Sequence, residues 1–172
     1  MNDAEAIRRS LLEPSAFGAV FDRHFAAVHA FAQRRVGAEL AEEVAAEAFA
    51  RAFAHRKRYD DSHADALPWL LGIATNLMRR HWRTERRRLD AYARVASQHT
   101  PSVDAHTAEE AIRAVARLPR RQREVVLLHV WADLSYEQIA RALDIPVGTV
   151  RSRLSRARGA LGTDPILEPS RA

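Results

Sequence analysis

Apolar residues recur at three- and four-residue intervals through most of the chain, a period that predicts helices. After a short, partly helical arm over 1–14, Pro14-Ser15 reads as a helix start with Ser15 as its cap. Phe17, Val20, Phe21, Val28 and Phe31 then form the core stripe of one long amphipathic helix ending near Gly37. A second helix over 39–55 has Leu40, Val44, Ala48 and Ala52 as its inner line, with Phe49 and Phe53 beside it. A polar loop occupies 59–65, and Pro68 opens a third helix with Trp69, Leu70, Ile73, Ala74, Leu77 and Met78 on its apolar face.

Periodicity is lost over 90–106, where Ser, Gln, Thr, Pro and His gather as in a linker. A new helix is predicted from Thr107, with Glu110 completing a capping box and Ala111, Ile112, Val115 and Leu118 inward. Pro119 breaks it, and 120–131 forms the next helix, with Val125, Val126, Leu128 and Val130 as its apolar residues. Over 134–161 two helices flank a very short turn. Ser135 and Gln138 are spaced as a capping box, and Ile139, Ala140 and Leu143 lie on one face. Asp144-Ile145-Pro146 stops this helix, because a residue before proline is pushed out of helical geometry. From about Val147 a second helix turns Val150 and Leu154 inward and leaves Arg151, Ser152, Ser155, Arg156 and Arg158 outward. A tight turn followed by a helix bearing arginine and small polar groups is the arrangement that enters a DNA major groove. With no sustained apolar–polar alternation, the expected fold is all-α. It comprises a helical domain over 1–89, a flexible linker over 90–106, a C-terminal helix-turn-helix domain over 107–162 and a tail over 163–172.

Composition narrows the chemistry. Cysteine is absent from the 172 residues, which removes disulfides, thiolate metal sites and a cysteine nucleophile. The eight histidines show no metal-binding spacing, and no phosphate-cradling loop or nucleophile turn is present. The expectation is therefore no cofactor and no metal site. No signal-peptide core or apolar run of membrane length occurs, so a cytoplasmic protein without membrane insertion is expected. The net charge is +5, and Lys57 is the one lysine. Arginine forks onto phosphates and guanine edges, but an arginine-rich chain also arises from a GC-rich genome. The distribution is more informative: acids gather in 39–47, and bases in 79–94 and 151–158.

Two of these runs leave alternatives open. The acidic outer face of the second helix, with Glu39, Glu42, Glu43 and Glu47, suits acid–base chemistry or a metal site, a merely solvated surface or a docking face for a basic partner helix. The end of the third helix interleaves Arg79, Arg80, Arg83, Arg86, Arg87 and Arg88 with His81 and Trp82. That pattern suits a nucleic-acid strand, with guanidiniums on phosphates and an indole stacked on a base. Alternatively, Trp82 anchors a core and the arginines match the helix dipole.

The wording LSYEQIA followed by GTVRSRLSRAR resembles the C-terminal DNA-binding region of bacterial RNA polymerase sigma factors of the extracytoplasmic-function (ECF) group. AEEVAAEAFARAF and PWLLGIATNLMRRHWR are similar to that group's N-terminal core-binding and melting domain. The resemblance covers about 15 to 161 and implies a promoter-specificity subunit, not an enzyme. Core RNA polymerase and promoter DNA are then the partners, and an anti-sigma factor is a further candidate. It implies polymerase contact through Glu43 and Glu47 with Arg51 nearby. The segment Asp60–Asp65 and the third helix are implied to read the minus-ten element, with Asn76, Arg79, Arg80, Trp82 and Arg83 on the opened strand. For the minus-thirty-five duplex it implies phosphate contacts from Arg153 and Arg158 and base-edge contacts from Arg151, Ser152, Ser155 and Arg156. The family commonly has Gln where Ala46 stands, Thr or Ser at Ala48 and Asp near Arg80. The rival expectation is a stand-alone helix-turn-helix regulator, which leaves the acidic and tryptophan-containing helices without a task.

Overall fold

The computed structural model describes residues 1–81, 87–88, 90–91 and 112–161. Among these there are helices and turns and no strand. They fall into two compact units, one built chiefly from Met1–Arg80 and the other chiefly from the residues after it.

In the first unit, α1 (Asp3–Ser10) is a capped helix within the segment expected to be a partly helical arm. The Asn2 side chain accepts from the Glu5 N–H at 2.9 Å, while the Glu5 carboxylate accepts from the Asn2 N–H at 3.0 Å. Ala4, Ala6 and Ile7 bury its inner face. Pro14–Phe17 forms a 3₁₀ turn that runs directly into α2 (Gly18–Val36). Ser15 does not cap this helix, because its hydroxyl donates to the Glu13 carboxylate at 3.2 Å. Gly37 separates α2 from α3 (Ala38–His55) in a single residue. Its φ of 95° lies where a side chain is strained, and its N–H closes α2 on Gln33 O at 3.0 Å. A second 3₁₀ turn over Arg56–Arg58 and the polar loop lead to α4 (Leu67–Met78), with Pro68 in its first turn.

Helices α2, α3 and α4 pack on one another around Val20, Val28, Phe31, Val44, Ala48, Leu70, Ala74 and Met78. Small residues on α3, with Ala41, Ala45, Ala48 and Ala52 all fully covered, allow close approach of its neighbours. Arg35 is 1% exposed within this unit. It donates to Thr75 Oγ1 at 3.2 Å and stands 5.3 Å from the Phe31 ring centroid, linking α2 to α4. Phe21 departs from the expected core stripe: it is 40% exposed.

In the second unit, α5 is described over 112–117, and Pro119 precedes α6 (Arg120–Ala132). Arg123 is fully buried and donates to Ala116 O at 3.1 Å and Leu118 O at 3.5 Å, satisfying carbonyls at the end of α5. Val125, Val126, Leu127 and Leu128 are core, whereas Val130 turns outward, 38% exposed. Helix α6 ends at Asp133 in left-handed geometry, φ 50°. Helices α7 (Tyr136–Leu143) and α8 (Val147–Leu161) follow, with Ile139, Val150, Leu154 and Ala157 buried and α8 packed on α6.

The capping box at α7 forms as the spacing predicts. The Ser135 N–H donates to Gln138 Oε1 at 2.8 Å, and the Gln138 N–H to Ser135 Oγ at 3.2 Å. Ser135→Ala is expected to lower stability by about 1 kcal/mol, read as a shift of the denaturant midpoint at unchanged slope. The stop of α7 has a different cause from the one expected. Asp144 adopts φ 51°, and the Ile145 N–H reaches back to Ala140 O at 3.0 Å. This is a left-handed helix end made by aspartate, a residue that tolerates that geometry. Pro146 instead opens α8, its carbonyl accepting from the Thr149 and Val150 N–H groups at 2.8 and 3.2 Å. Of the linker expected over 90–106, Asp90 and Ala91 are helical; its remaining residues, the expected helix start at Thr107 with Glu110, inward Ala111 and the tail over 163–172 lie outside the described residues.

Candidate nucleic-acid interface

The outward face of α8 is built by its register. Val150, Leu154 and Ala157 are covered, so Arg151, Ser155 and Arg156 project on the opposite side and all are exposed. The other three expected contacts are only half-exposed. The Ser152 hydroxyl donates to Thr149 O at 3.0 Å, which leaves it acceptor capacity only. Arg158 donates from Nη2 to the Tyr136 hydroxyl at 3.0 Å, fastening α8 to α7. Arg153 is half-buried on the flank of the helix. The exposed face is thus narrower than expected, and Arg158 also braces the pair of helices. His129, on α6, supports the entry to the pair by donating from Nδ1 to Leu134 O at 2.9 Å.

In the first unit, Asn76 and Arg79 are exposed together at the end of α4, and Arg79–His81 continues as a 3₁₀ turn that includes Arg80. Trp82 and Arg83 lie outside the described residues, as does Arg86. Ahead of α4 the loop is internally bonded. The Tyr59 hydroxyl donates to His63 O at 2.6 Å, and Tyr59 and Trp69 rings lie 5.0 Å apart. Burial pushes the Tyr59 phenol up to about 12, so it stays a donor across the physiological range. Asp60 accepts from the Ser62 N–H at 3.1 Å, and bonds from Ser62 hold its carboxyl below the usual range. The Asp65 carboxylate accepts from the Leu67 N–H at 2.9 Å.

On α3, Glu42 and Glu43 are exposed, and Glu47 is half-exposed. Glu47 is paired one turn on with Arg51, Nε to Oε1 at 2.7 Å. An exposed pair of this spacing contributes only ~0.3–0.5 kcal/mol, so it is readily exchanged for another partner. Beside this acidic line lies an aromatic patch that includes Phe21, a residue expected in the core. Phe21 stacks on Phe25 at 4.8 Å and meets Phe49 at 5.0 Å. Phe25 continues to His29 at 5.9 Å, and His29 Nε2 lies 3.5 Å from Glu42. Apolar and acidic surface are therefore contiguous, a combination suited to a partner carrying both apolar and basic groups.

The two units correspond to two known protein regions. Residues 20–88 match sigma-70 region 2, and residues 108–161 match sigma-70 region 4. The chain is 32% identical over 76% of its length to the RNA polymerase sigma factor HrpL of Pseudomonas syringae pv. syringae, of which the match spans 77%. It is 34% identical over 72% of its length to the ECF RNA polymerase sigma factor SigC of Mycobacterium tuberculosis, of which the match spans 69%. The chain belongs to the ECF family of RNA polymerase sigma factors. As an ECF sigma factor it works in promoter-specific transcription initiation, with core RNA polymerase and promoter DNA as partners. The fold agrees with the solved structure of the sigma factor RpoE in complex with the anti-sigma factor NepR from Bartonella quintana. The TM-score is 0.59 at 22% identity, covering 91% of this chain and 99% of that one. Among the described residues no helix is long and apolar enough to cross a membrane.

Proposed function

We propose that this sigma factor divides its work among three surfaces. The acidic line Glu43 and Glu47, with Arg51 and the Phe21–Phe25 patch, docks on core polymerase. The loop Asp60–Asp65 and the basic end of α4, through Asn76, Arg79, Arg80, Trp82 and Arg83, engage the opened minus-ten strand. The outer face of α8 reads the minus-thirty-five duplex, with Arg151, Ser155 and Arg156 toward base edges, Ser152 as an acceptor, and Arg153 and Arg158 at phosphates. The domain limits are 1–89 and 107–162, joined through 90–106. The protein acts in the cytoplasm as a specificity subunit, without catalysis of its own. An anti-sigma factor is a further partner, supported by the likeness to RpoE, whose solved structure is a complex with the anti-sigma factor NepR.

The observation that carries this reading is the exposure of Arg151, Ser155 and Arg156 on one face of a helix whose opposite face buries Val150, Leu154 and Ala157. A good bidentate base contact is worth roughly 1–3 kcal/mol of discrimination. Arg156→Ala is therefore expected to relax minus-thirty-five selection about tenfold in run-off transcription, while binding to core polymerase is unchanged. Unaltered promoter choice by that variant would place the reading face elsewhere.

A further inference from the structure

Helix α1 precedes the residues matched to sigma-70 region 2, which begin at residue 20. It is nevertheless bonded directly to the loop ahead of α4. The Asp3 N–H donates to Ala64 O at 3.1 Å, and the Ala66 N–H donates to Asp3 Oδ2 at 2.8 Å. These two bonds form a reciprocal clasp from one residue of α1 across the C-terminal end of the loop. Further along, Arg8 Nη1 reaches Asp61 Oδ2 at 3.3 Å, and Arg56 Nε donates to Ser10 O at 3.4 Å.

Asp3 is itself held from behind. Its side chain is 2% exposed. One oxygen takes the Arg23 guanidinium, and the other lies 2.6 Å from His24 Nε2. Burial lowers the His24 pKa, which keeps the imidazole neutral with Nε2–H as the donor to Asp3. Asp3, His24 and Asp65 bring three potential metal-ligand atoms within 4.8 Å of one another. A guanidinium and a backbone N–H already occupy the Asp3 oxygens, however, so the cluster reads as a hydrogen-bonded hub. The loop's internal bonds at Tyr59, Asp60 and Asp65 fix its local shape. They do not set its position on the bundle. The clasp from Asp3 does so, because a buried carboxylate with fixed partners allows one placement of Ala64 and Ala66.

We infer that Asp3 is a positioning residue for minus-ten recognition, with α1 as a brace that holds the loop Asp60–Asp65 in the geometry that reads the opened strand. This rests on the assignment of that loop to the minus-ten element. Without the clasp the loop samples several positions, and discrimination among minus-ten bases falls while the minus-thirty-five reader is untouched.

The test is selection of transcribed templates by holoenzyme, reconstituted from the full chain and core polymerase, from a promoter library randomised at both elements. Asp3→Ala is expected to reduce discrimination at minus-ten positions roughly fivefold or more, with minus-thirty-five preferences within about twofold of the parent. Asp3→Asn, which keeps a carbonyl oxygen for the Ala66 N–H, restores part of the loss. Arg8→Ala, on the exposed end of the brace, shifts the minus-ten preference in the same direction by about twofold and tests the idea even where Asp3→Ala fails to fold. Unchanged minus-ten discrimination in folded Asp3→Ala and Asp3→Asn proteins overturns the proposal. A parallel loss at both elements also overturns it, since that is the mark of general destabilisation. If the parent holoenzyme shows minus-thirty-five but no minus-ten preference, the underlying assignment of the loop fails instead, and the proposal falls with it.

Discussion

Leu154→Ala is expected to destabilise the C-terminal unit by roughly 2–5 kcal/mol, the largest stability effect of any single change discussed for this chain. Leu154 is 1% exposed on the inner face of α8, which packs on α6. Truncation removes its apolar contacts and leaves a cavity that rigid helices close only in part. A single domain has only about 5–15 kcal/mol of total stability, so the loss is a large share of it. Denaturant unfolding followed by circular dichroism should show a lower midpoint. Minus-thirty-five binding should fall with the folded fraction, although no DNA-facing side chain has been altered. A change below 1 kcal/mol would mean that α8 is held by something other than its buried Val150–Leu154–Ala157 line.

The second large effect concerns assembly. Replacing Glu43 and Glu47 together by Arg is expected to weaken holoenzyme formation roughly 100-fold or more, because charges that attract a basic partner are turned into repulsion. Folding should be almost unaffected. Both positions lie on the outer side of α3, and substitutions there usually change stability by less than about 0.5 kcal/mol. The reversed Glu47 also loses its pair with Arg51, a small intrahelical penalty. Pull-down or fluorescence titration with core polymerase measures the loss, with thermal unfolding of the free protein as control. Wild-type affinity in the double variant would remove α3 from the docking surface.

Among the described residues, α2 to α8 were legible in the sequence through their apolar period, whereas α1 was read only as part of a partly helical arm. The Ser135–Gln138 capping box was equally legible, since it depends on residue type and spacing alone. Side-chain fates that depend on neighbouring elements were not. Phe21 and Val130 fit the apolar period but lie at the edge of their stripes and stay exposed, Phe21 meeting α3 only through Phe49. Arg35 and Arg123 look like surface charges in sequence and are buried, one against Thr75 and Phe31, the other on the carbonyls closing α5. The left-handed turn at Asp144 was masked by the adjacent proline, which offered a sufficient but different reason for the break. Within the reading face, spacing gave direction but not engagement. Arg158 and Ser152 point as expected, yet each already has a partner within its own unit. The clasp at Asp3 was invisible for a similar reason: it joins residues more than sixty positions apart, from α1 to the loop before α4.

The most direct test of the central claim is transcription from a random-sequence library by purified core polymerase, with and without this chain, paired with footprinting of the selected templates. Two-element templates with a fixed spacing are expected to be transcribed only when both are present, with protection of those elements requiring core polymerase. Specific protection of a single site by the chain alone, with no core-dependent initiation, would contradict that claim and make the protein a stand-alone helix-turn-helix regulator.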